Sequence, residues 1–125
     1  MPECERYCKT SKLGNMKQPQ KAKPRPKRLR VMNLNWSVRF MDQSCKEATQ
    51  SWGWCDYGDQ TIFICEDQKP DAMADTFLHE VLHAIVYSLG ANVKEEENIV
   101  HRMATGLCTV WKQNPSAFKW WESLL

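Results

Sequence analysis

Hydrophobic and polar residues alternate strictly over residues 34–40, which is the first regular pattern in the chain. The apolar positions of this alternation are Leu34, Trp36, Val38 and Phe40. A period of two predicts a β-strand with one buried face. A shorter alternation at 52–54, turn residues at 58–59 and a β-branched and aromatic run at 61–65 predict an antiparallel hairpin. The polar residues 42–50 fit either a short helix or a loop.

Helical periodicity replaces alternation after Pro70. The segment 71–89 is the most apolar helix of the chain, with Asp71 as the expected N-cap and Gly90 as the expected C′ residue. A second helix is predicted from about residue 94 to residue 113, with an apolar stripe of Ile99, Val100, Met103, Ala104, Leu107, Val110 and Trp111. Asn114-Pro115 ends it and starts a short last helix. The side chains of this last helix that are expected to cover the core are Phe118, Trp120, Trp121, Leu124 and Leu125.

The order of these elements, strands first and helices after, predicts an α+β fold. A length of 125 residues fits one domain with a core of its own. Because the connection at 90–93 is short, the two long helices should be antiparallel neighbours. We therefore expect a small antiparallel or mixed sheet packed on these helices, in a domain that spans residues 31–125.

The first thirty residues differ from the rest in charge. They carry ten basic and two acidic residues, a net +8, whereas residues 31–125 carry seven basic and thirteen acidic residues, a net −6. Residues 1–30 also hold four prolines, among them Pro19, Pro24 and Pro26, and almost no large apolar side chains. We interpret them as a flexible basic arm, which either is a solvated tail or binds nucleic acid or an acidic partner.

Six cysteines are compatible with a disulfide framework. The N-terminus shows no apolar signal segment, so we expect reduced thiols and a cytoplasmic protein. No apolar run is long enough to span a bilayer, and we expect no membrane association.

Two of the three histidines of the chain lie in the helix 71–89, in a His-Glu-x-x-His pattern. His79 and His83 are four residues apart, so a helix places both imidazoles on one face, where they can converge on Zn²⁺. Glu80 is rotated away from that face and lies beside the metal, where a general base is needed. The pattern predicts a zinc site with Glu80 as the catalytic base.

A third zinc ligand is expected from the second helix, which offers Glu96, Glu97 and His101 near its start. Glu97 lies on the same side as Val100 and Ala104, which should face the core, and it is the predicted ligand. The rise per residue places His101 level with His83, and a small rotation of the helix would favour Glu96. These two alternatives stay open.

Three segments carry a resemblance to a known family: residues 76–87 (TFLHEVLHAIVY), residues 96–100 (EENIV) and the pair Asn114-Pro115. Over residues 31–116 the chain resembles the small zincin-like proteins encoded by bacteriophages and prophages. More distantly it resembles the SprT-like and ImmA/IrrE-like metallopeptidases. The resemblance implies a minimal zincin-like fold, in which a strand or hairpin precedes the metal helix, and a location in the bacterial host cytoplasm.

The same resemblance implies a ligand set. The glycine and third histidine of metzincins are missing, since Val86 and Leu89 stand there, and the His-Gly pair of SprT is missing, since Arg102 follows His101. The similarity is therefore to the type with two histidines and a glutamate, here Glu97.

These residues predict a zinc metalloprotease, in which Glu80 and the metal activate a water that attacks a peptide bond. The strand 61–65 is the expected edge on which a peptide substrate adds as a further strand. Tyr87, one turn after His83, either supports the oxyanion or serves packing. The alternative function is a nucleic-acid-associated or adaptor module with structural zinc and no turnover, but such a module has no use for Glu80.

Overall fold

The strands over residues 34–41 and 53–65 and the three helices after residue 69 occur in the predicted order. The computed structural model describes residues 23–125. Their elements are the strands β1 (Arg28–Val31) and β2 (Leu34–Met41), the helix α1 (Gln43–Thr49), the strands β3 (Gly53–Asp56) and β4 (Thr61–Cys65), and the helices α2 (Pro70–Ser88), α3 (Glu96–Gln113) and α4 (Pro115–Ser123). The fold is α+β, with α1 formed in the segment whose structure the sequence left open.

The four strands form one mixed sheet in the order β1-β2-β4-β3. The hairpin of β3 and β4 is antiparallel, as expected, whereas β2 and β4 pair in parallel with Val38 opposite Ile62. The expectation that residues 61–65 form an edge is wrong, because β2 occupies one side of β4 and β3 the other. The edge strands of this sheet are β1 and β3.

The strand β1 begins at Arg28, inside the segment that the sequence analysis assigned to the arm. Leu29 pairs opposite Trp36 and Val31 opposite Leu34, and Val31 is only 5% exposed. Two apolar residues alternate here with two arginines, and the charge of the arginines concealed a short strand. The sheet therefore begins at residue 28, three residues before the start expected for the domain. The remainder of the arm up to residue 22 lies outside the described residues.

The core lies between one face of the sheet and α2. Trp36, Ile62, Ile64 and Ala84 are at most 1% exposed and pack together with Val31. Full burial of one such large side chain stabilises the fold by roughly 1.5–3 kcal/mol. Packing in this core fixes the orientation of α2 on the sheet. It thereby also fixes the direction in which His79 and His83 point.

Pro70 and Gly90 determine where α2 begins and ends. Pro70 occupies the first helical position, and its missing N–H costs nothing there. The N-cap is Lys69 and not Asp71, because Pro70 already begins the helix, so Asp71 lies in the first turn. At the other end Gly90 has φ +65°, and the N–H groups of Gly90 and Ala91 donate to the carbonyls of Tyr87 and Val86. This Schellman motif reverses the chain toward α3.

The last helix departs from expectation, since its large side chains do not cover the core. Trp120 is 65% exposed and Leu125 88% exposed. The packing of α4 is instead local: the ring of Phe118 lies 5.0 Å from that of Trp111 and 5.9 Å from that of Trp121. The helix α2 already covers the inner side of the sheet, and α3 packs on α2. Within residues 23–125, no helix is both long and apolar enough to cross a membrane.

Candidate metal centre

The two histidines of α2 point to the same place. The Nε2 atoms of His79 and His83 lie 3.2 Å apart, and His83 is buried. This follows from the four-residue spacing, because one helical turn brings the two imidazoles onto one face. Two ring nitrogens at this separation both point toward the space that a shared ion would occupy.

Glu97 reaches the same place from α3. Its Oε1 lies 2.9 Å from His79 Nε2, and its Oε2 lies 2.8 Å from His83 Nε2. One ligand atom from each of His79, His83 and Glu97 lies within 4.8 Å of the others, so the three residues could hold a metal ion. Two imidazole nitrogens and a carboxylate oxygen are a donor set that suits zinc. The structure brings together the three residues that the sequence predicted as ligands.

The reason given for Glu97 in the sequence analysis is only partly correct. Its side chain is 75% exposed, so it does not point into the core beside Val100 and Ala104. Those two residues are buried against α2 and fix the rotation of α3. The carboxylate then extends along the open side of the helix pair to the histidines. Glu97 therefore joins His79 and His83 because its exposed side chain extends to them, and not because it is buried.

Glu96 contacts the other ring nitrogen of His83. Its Oε2 lies 2.6 Å from His83 Nδ1, and its side chain is 29% exposed. A carboxylate at Nδ1 favours the tautomer with the proton on Nδ1, which leaves Nε2 free to bind a metal. Glu96 therefore has the place of an orienting residue and not of a ligand. From the sequence alone, Glu96 was an alternative ligand, and its contact with Nδ1 was not predicted.

His101 lies outside the group of three. Its ring centroid is 6.0 Å from that of His79, and the residue is exposed. It lines the same cleft as His79 and Glu97. In this arrangement His101 neighbours the centre without joining it.

Glu80 lies on the inner side of α2 and is only 4% exposed. Cys55 of β3 donates its thiol to the main-chain carbonyl of Glu80 at 3.3 Å, and Cys55 Sγ lies 3.7 Å from Glu80 Oε1. Burial raises the pKa of Glu80 to about 7. Burial also raises the pKa of the Cys55 thiol, with a further contribution from the Glu80 charge. Cys55 is therefore present as a thiol that can donate to the carboxylate.

Gly53 allows the edge strand to approach this carboxylate closely. A Cβ at position 53 would lie 2.8 Å from Thr76 Cγ2, 3.0 Å from the Phe63 carbonyl oxygen and 3.2 Å from Glu80 Oε2. Any other residue would push β3 away from α2. The glycine thus encloses Glu80 between strand and helix.

The two histidines differ in their pKa. Burial lowers the pKa of His79, and the charge of Glu97 opposes this only in part. Burial also acts to lower the pKa of His83, but its hydrogen bonds to Glu96 and Glu97 outweigh that and raise it. The asymmetry follows from the number of carboxylates, since His83 has one at each ring nitrogen.

A groove runs past the centre along β3. A cleft of about 630 Å³ opens on one side and includes Trp52, Gln68 and Asp75 in its lining. A smaller cleft of about 300 Å³ includes Cys55 and Tyr57. The residues that line both clefts are Ser51, Gly53, His79, Glu80 and Glu97. The candidate centre therefore lies at the middle of an extended groove.

Tyr87 belongs to an aromatic cluster next to the core. Its ring stacks on Tyr57 at 4.8 Å and meets the buried Trp36 edge-to-face at 5.9 Å. These contacts are those of a packing residue, which was one of the two interpretations of Tyr87. Burial raises the pKa of its neighbour Tyr57 to about 12.

The seam between α2 and α3 is polar along one side. Every fourth residue of α2 contributes to it: Asp71 pairs with Lys112, Asp75 accepts from Thr105, and the histidines meet the glutamates. The metal ligands occupy the end of this seam nearest the α2–α3 connection.

Sequence reasoning did not find Cys55 and Gly53 as site residues. The signal was present, because positions 53 and 55 alternate with Trp54 and so share the face of β3 that meets α2. Which helix residue they would face depends on the packing of strand on helix, and no local pattern reveals that.

Comparisons of the chain with protein families, with curated proteins and with solved structures find no match.

Proposed function

We propose that the protein is a zinc-dependent peptide hydrolase. One observation carries the proposal. His79, His83 and Glu97 converge as possible metal ligands, and the carboxylate of Glu80 lines the same clefts without belonging to that ligand group. His79, His83 and Glu97 would hold the metal. A structural zinc site needs three or four ligands but no additional buried carboxylate, whose ionised form is costly to bury. The presence of Glu80 supports catalysis over a purely structural role.

When bound, zinc lowers the pKa of a water and polarises a substrate carbonyl. Glu80 accepts the proton of the attacking water and delivers it to the leaving nitrogen. The pKa of Glu80 is about 7 in the metal-free protein, and a bound cation nearby would lower it and favour the carboxylate form that accepts the proton. The Cys55 thiol donates to the main-chain carbonyl of Glu80 and lies 3.7 Å from its carboxylate, so β3 holds Glu80 in place for this transfer.

The position of β3 supports a peptide as the substrate. Among the described residues β3 pairs only with β4, so the outer edge of β3 has main-chain groups that a further strand could bind. This edge runs beside Glu80 and along the groove. A peptide added here, rather than at residues 61–65, would carry its scissile bond past the centre. The zincin-like resemblance agrees with this arrangement and remains part of the proposal.

Metal content tests the proposal directly. Purified protein should contain one zinc per chain by mass spectrometry. Zinc at a hundred times its dissociation constant should stabilise the fold by about 2.7 kcal/mol. Chelation with EDTA should then lower Tm by roughly 10 °C. His79→Ala should show no zinc-dependent shift, and an equal shift in wild type and His79→Ala would contradict the assignment.

Glu96→Ala should weaken zinc binding by about 10- to 100-fold, because His83 loses the carboxylate that fixes its tautomer. Glu96→Gln should lose less, since an amide oxygen still accepts from Nδ1. Competition with a chromogenic chelator measures both affinities. Glu122→Ala, an exposed residue of α4, is the matched control and should bind zinc like wild type. A loss as large as that of His79→Ala would make Glu96 a ligand.

A further inference from the structure

The sheet has a second face, which points away from α2. Side chains alternate along a strand. The residues between the core side chains Leu29, Val31, Trp36, Ile62 and Ile64 therefore lie on this outer face. The pairing registers place them in rows across the strands. One row contains Arg30 and Asn35, the next contains Arg28, Ser37, Thr61 and Asp56, and the third contains Arg39, Phe63 and Trp54.

Three arginines give the outer face a positive charge. Arg28, Arg30 and Arg39 are exposed. Arg30 donates only to neutral oxygens, those of Asn35 and Met32, so its charge is not compensated. Within residues 23–125, no ion pair is found for Arg28 or Arg39. Asp56 is the acidic residue in these rows, and its carboxylate accepts from the Asp59 amide in the adjoining turn.

Two aromatic rings continue the third row. Trp54 and Phe63 stack with their centroids 4.7 Å apart and their planes at 15°, and both are partly exposed. Arg39 is the register partner of Phe63, so the two residues are neighbours on the outer face of adjacent strands. Neither ring belongs to the core between the sheet and α2. The core between the sheet and α2 therefore does not account for this partly exposed pair.

We propose that the outer face of the sheet binds single-stranded nucleic acid. The arginines contact phosphates, and an unpaired base stacks on the Trp54–Phe63 pair. Charge complementarity favours a polyanion, and the aromatic pair distinguishes among polyanions, because bases offer π-faces and acidic peptides do not. A duplex keeps its bases stacked inside and presents only phosphates. Trp54 also lines the smaller cleft of the groove, whereas the three arginines line neither cleft, and the proposed binding does not depend on a bound metal.

Fluorescence anisotropy with a labelled twelve-nucleotide oligothymidylate tests the proposal on the full chain. Arg28→Gln combined with Arg39→Gln removes two phosphate contacts. The slope of log affinity against log salt should therefore fall by about 1.4, and affinity at low salt should fall about tenfold or more. Arg102→Gln, on the exposed side of α3, removes the same type of charge far from the sheet and should leave both quantities unchanged.

Trp54→Leu should weaken binding by roughly 5- to 150-fold, and Trp54→Phe should restore most of it, because phenylalanine keeps a stacking surface. A melting curve of each variant shows that the fold is kept. The labelled strand should also be displaced less well by its duplex or by polyglutamate of equal charge than by unlabelled oligothymidylate. Polyglutamate competing equally well would assign the face to an acidic protein. Wild-type affinity in the double arginine variant, or equal losses in Arg102→Gln, would also overturn the proposal.

Discussion

Replacing Glu97 by alanine should lower zinc affinity more than about 100-fold, beyond what loss of an outer contact causes. The variant loses the carboxylate that lies 2.9 Å from His79 and 2.8 Å from His83. His101→Ala should cost about tenfold at most, because His101 contacts His79 only ring to ring. Isothermal titration with zinc, or chelator competition if binding is too tight, measures both.

The comparison of Glu97 with His101 decides the ligand set. Because the Glu97 side chain is largely exposed, its truncation leaves no cavity, and the melting temperature of the metal-free protein should change little. A loss of zinc binding in Glu97→Ala therefore reports ligation and not unfolding. If His101→Ala had the larger effect, the centre would be a three-histidine site and α3 would have to rotate or shift.

Glu80→Gln should retain zinc and lower kcat for peptide hydrolysis by about 10²- to 10⁴-fold, the usual contribution of a general base. The amide fills the same space but cannot accept a proton. Retained zinc with lost turnover identifies the base, whereas wild-type turnover in Glu80→Gln would exclude it. Assay of cleavage with a quenched fluorescent peptide library avoids the need to know the substrate.

The same substitution should stabilise the metal-free protein at neutral and higher pH. The pKa of Glu80 is about 7 in the fold against an ordinary 4.5, because burial disfavours the ionised form. The protonated carboxyl is thus the form that the fold favours, and its contribution is complete below about pH 4.5 and lost as the pH rises through about 7. Metal-free Glu80→Gln should melt like wild type at low pH. Near pH 8 it should be more stable by on the order of 3 kcal/mol.

Denaturant unfolding in EDTA across this pH range measures the difference. Glu47→Gln, at an exposed position of α1, removes the same charge from the surface and should show no such pH dependence. A constant difference between Glu80→Gln and wild type at all pH values would mean that the carboxyl ionises normally in the fold.

Local patterns predicted most of the elements but not how they assemble. The alternation in β2 and the periodicity of α2 and α3 record which face of each element is buried, so these elements were predicted within a few residues. The parallel pairing of β2 with β4 is a contact between distant segments, and no local pattern distinguishes an inner from an edge strand. The expectation for α4 failed for a related reason: its aromatic residues are apolar, but the core was already covered.

In the candidate site, too, the relation of residues within one helix could be predicted, whereas contacts between helices could not be fully predicted. His79, Glu80 and His83 are arranged by the geometry of one helix, and the sequence alone predicts their relation. Glu97 was predicted because α3 returns antiparallel to α2, yet the sequence could not separate its role from that of Glu96. The two neighbours differ in which nitrogen of His83 they contact. That difference depends on the rotation of α3, which the buried Val100 and Ala104 determine.

Because the contact between α2 and α3 is polar along one side, we expect α3 to be locally less stable than the sheet and the inner face of α2. The candidate ligands lie at positions 79, 83 and 97, within two consecutive helices, so a bound ion cross-links a local helical hairpin and not the sheet. The sheet and the inner face of α2 share the buried core, whereas α3 contributes only Val100 and Ala104 as fully buried residues. We therefore expect α3 to open away from α2 at a lower free energy than that of global unfolding. Metal binding acts on that opening first, and the hydrogen-exchange protection of α3 would depend on metal while that of β2 and β4 would not.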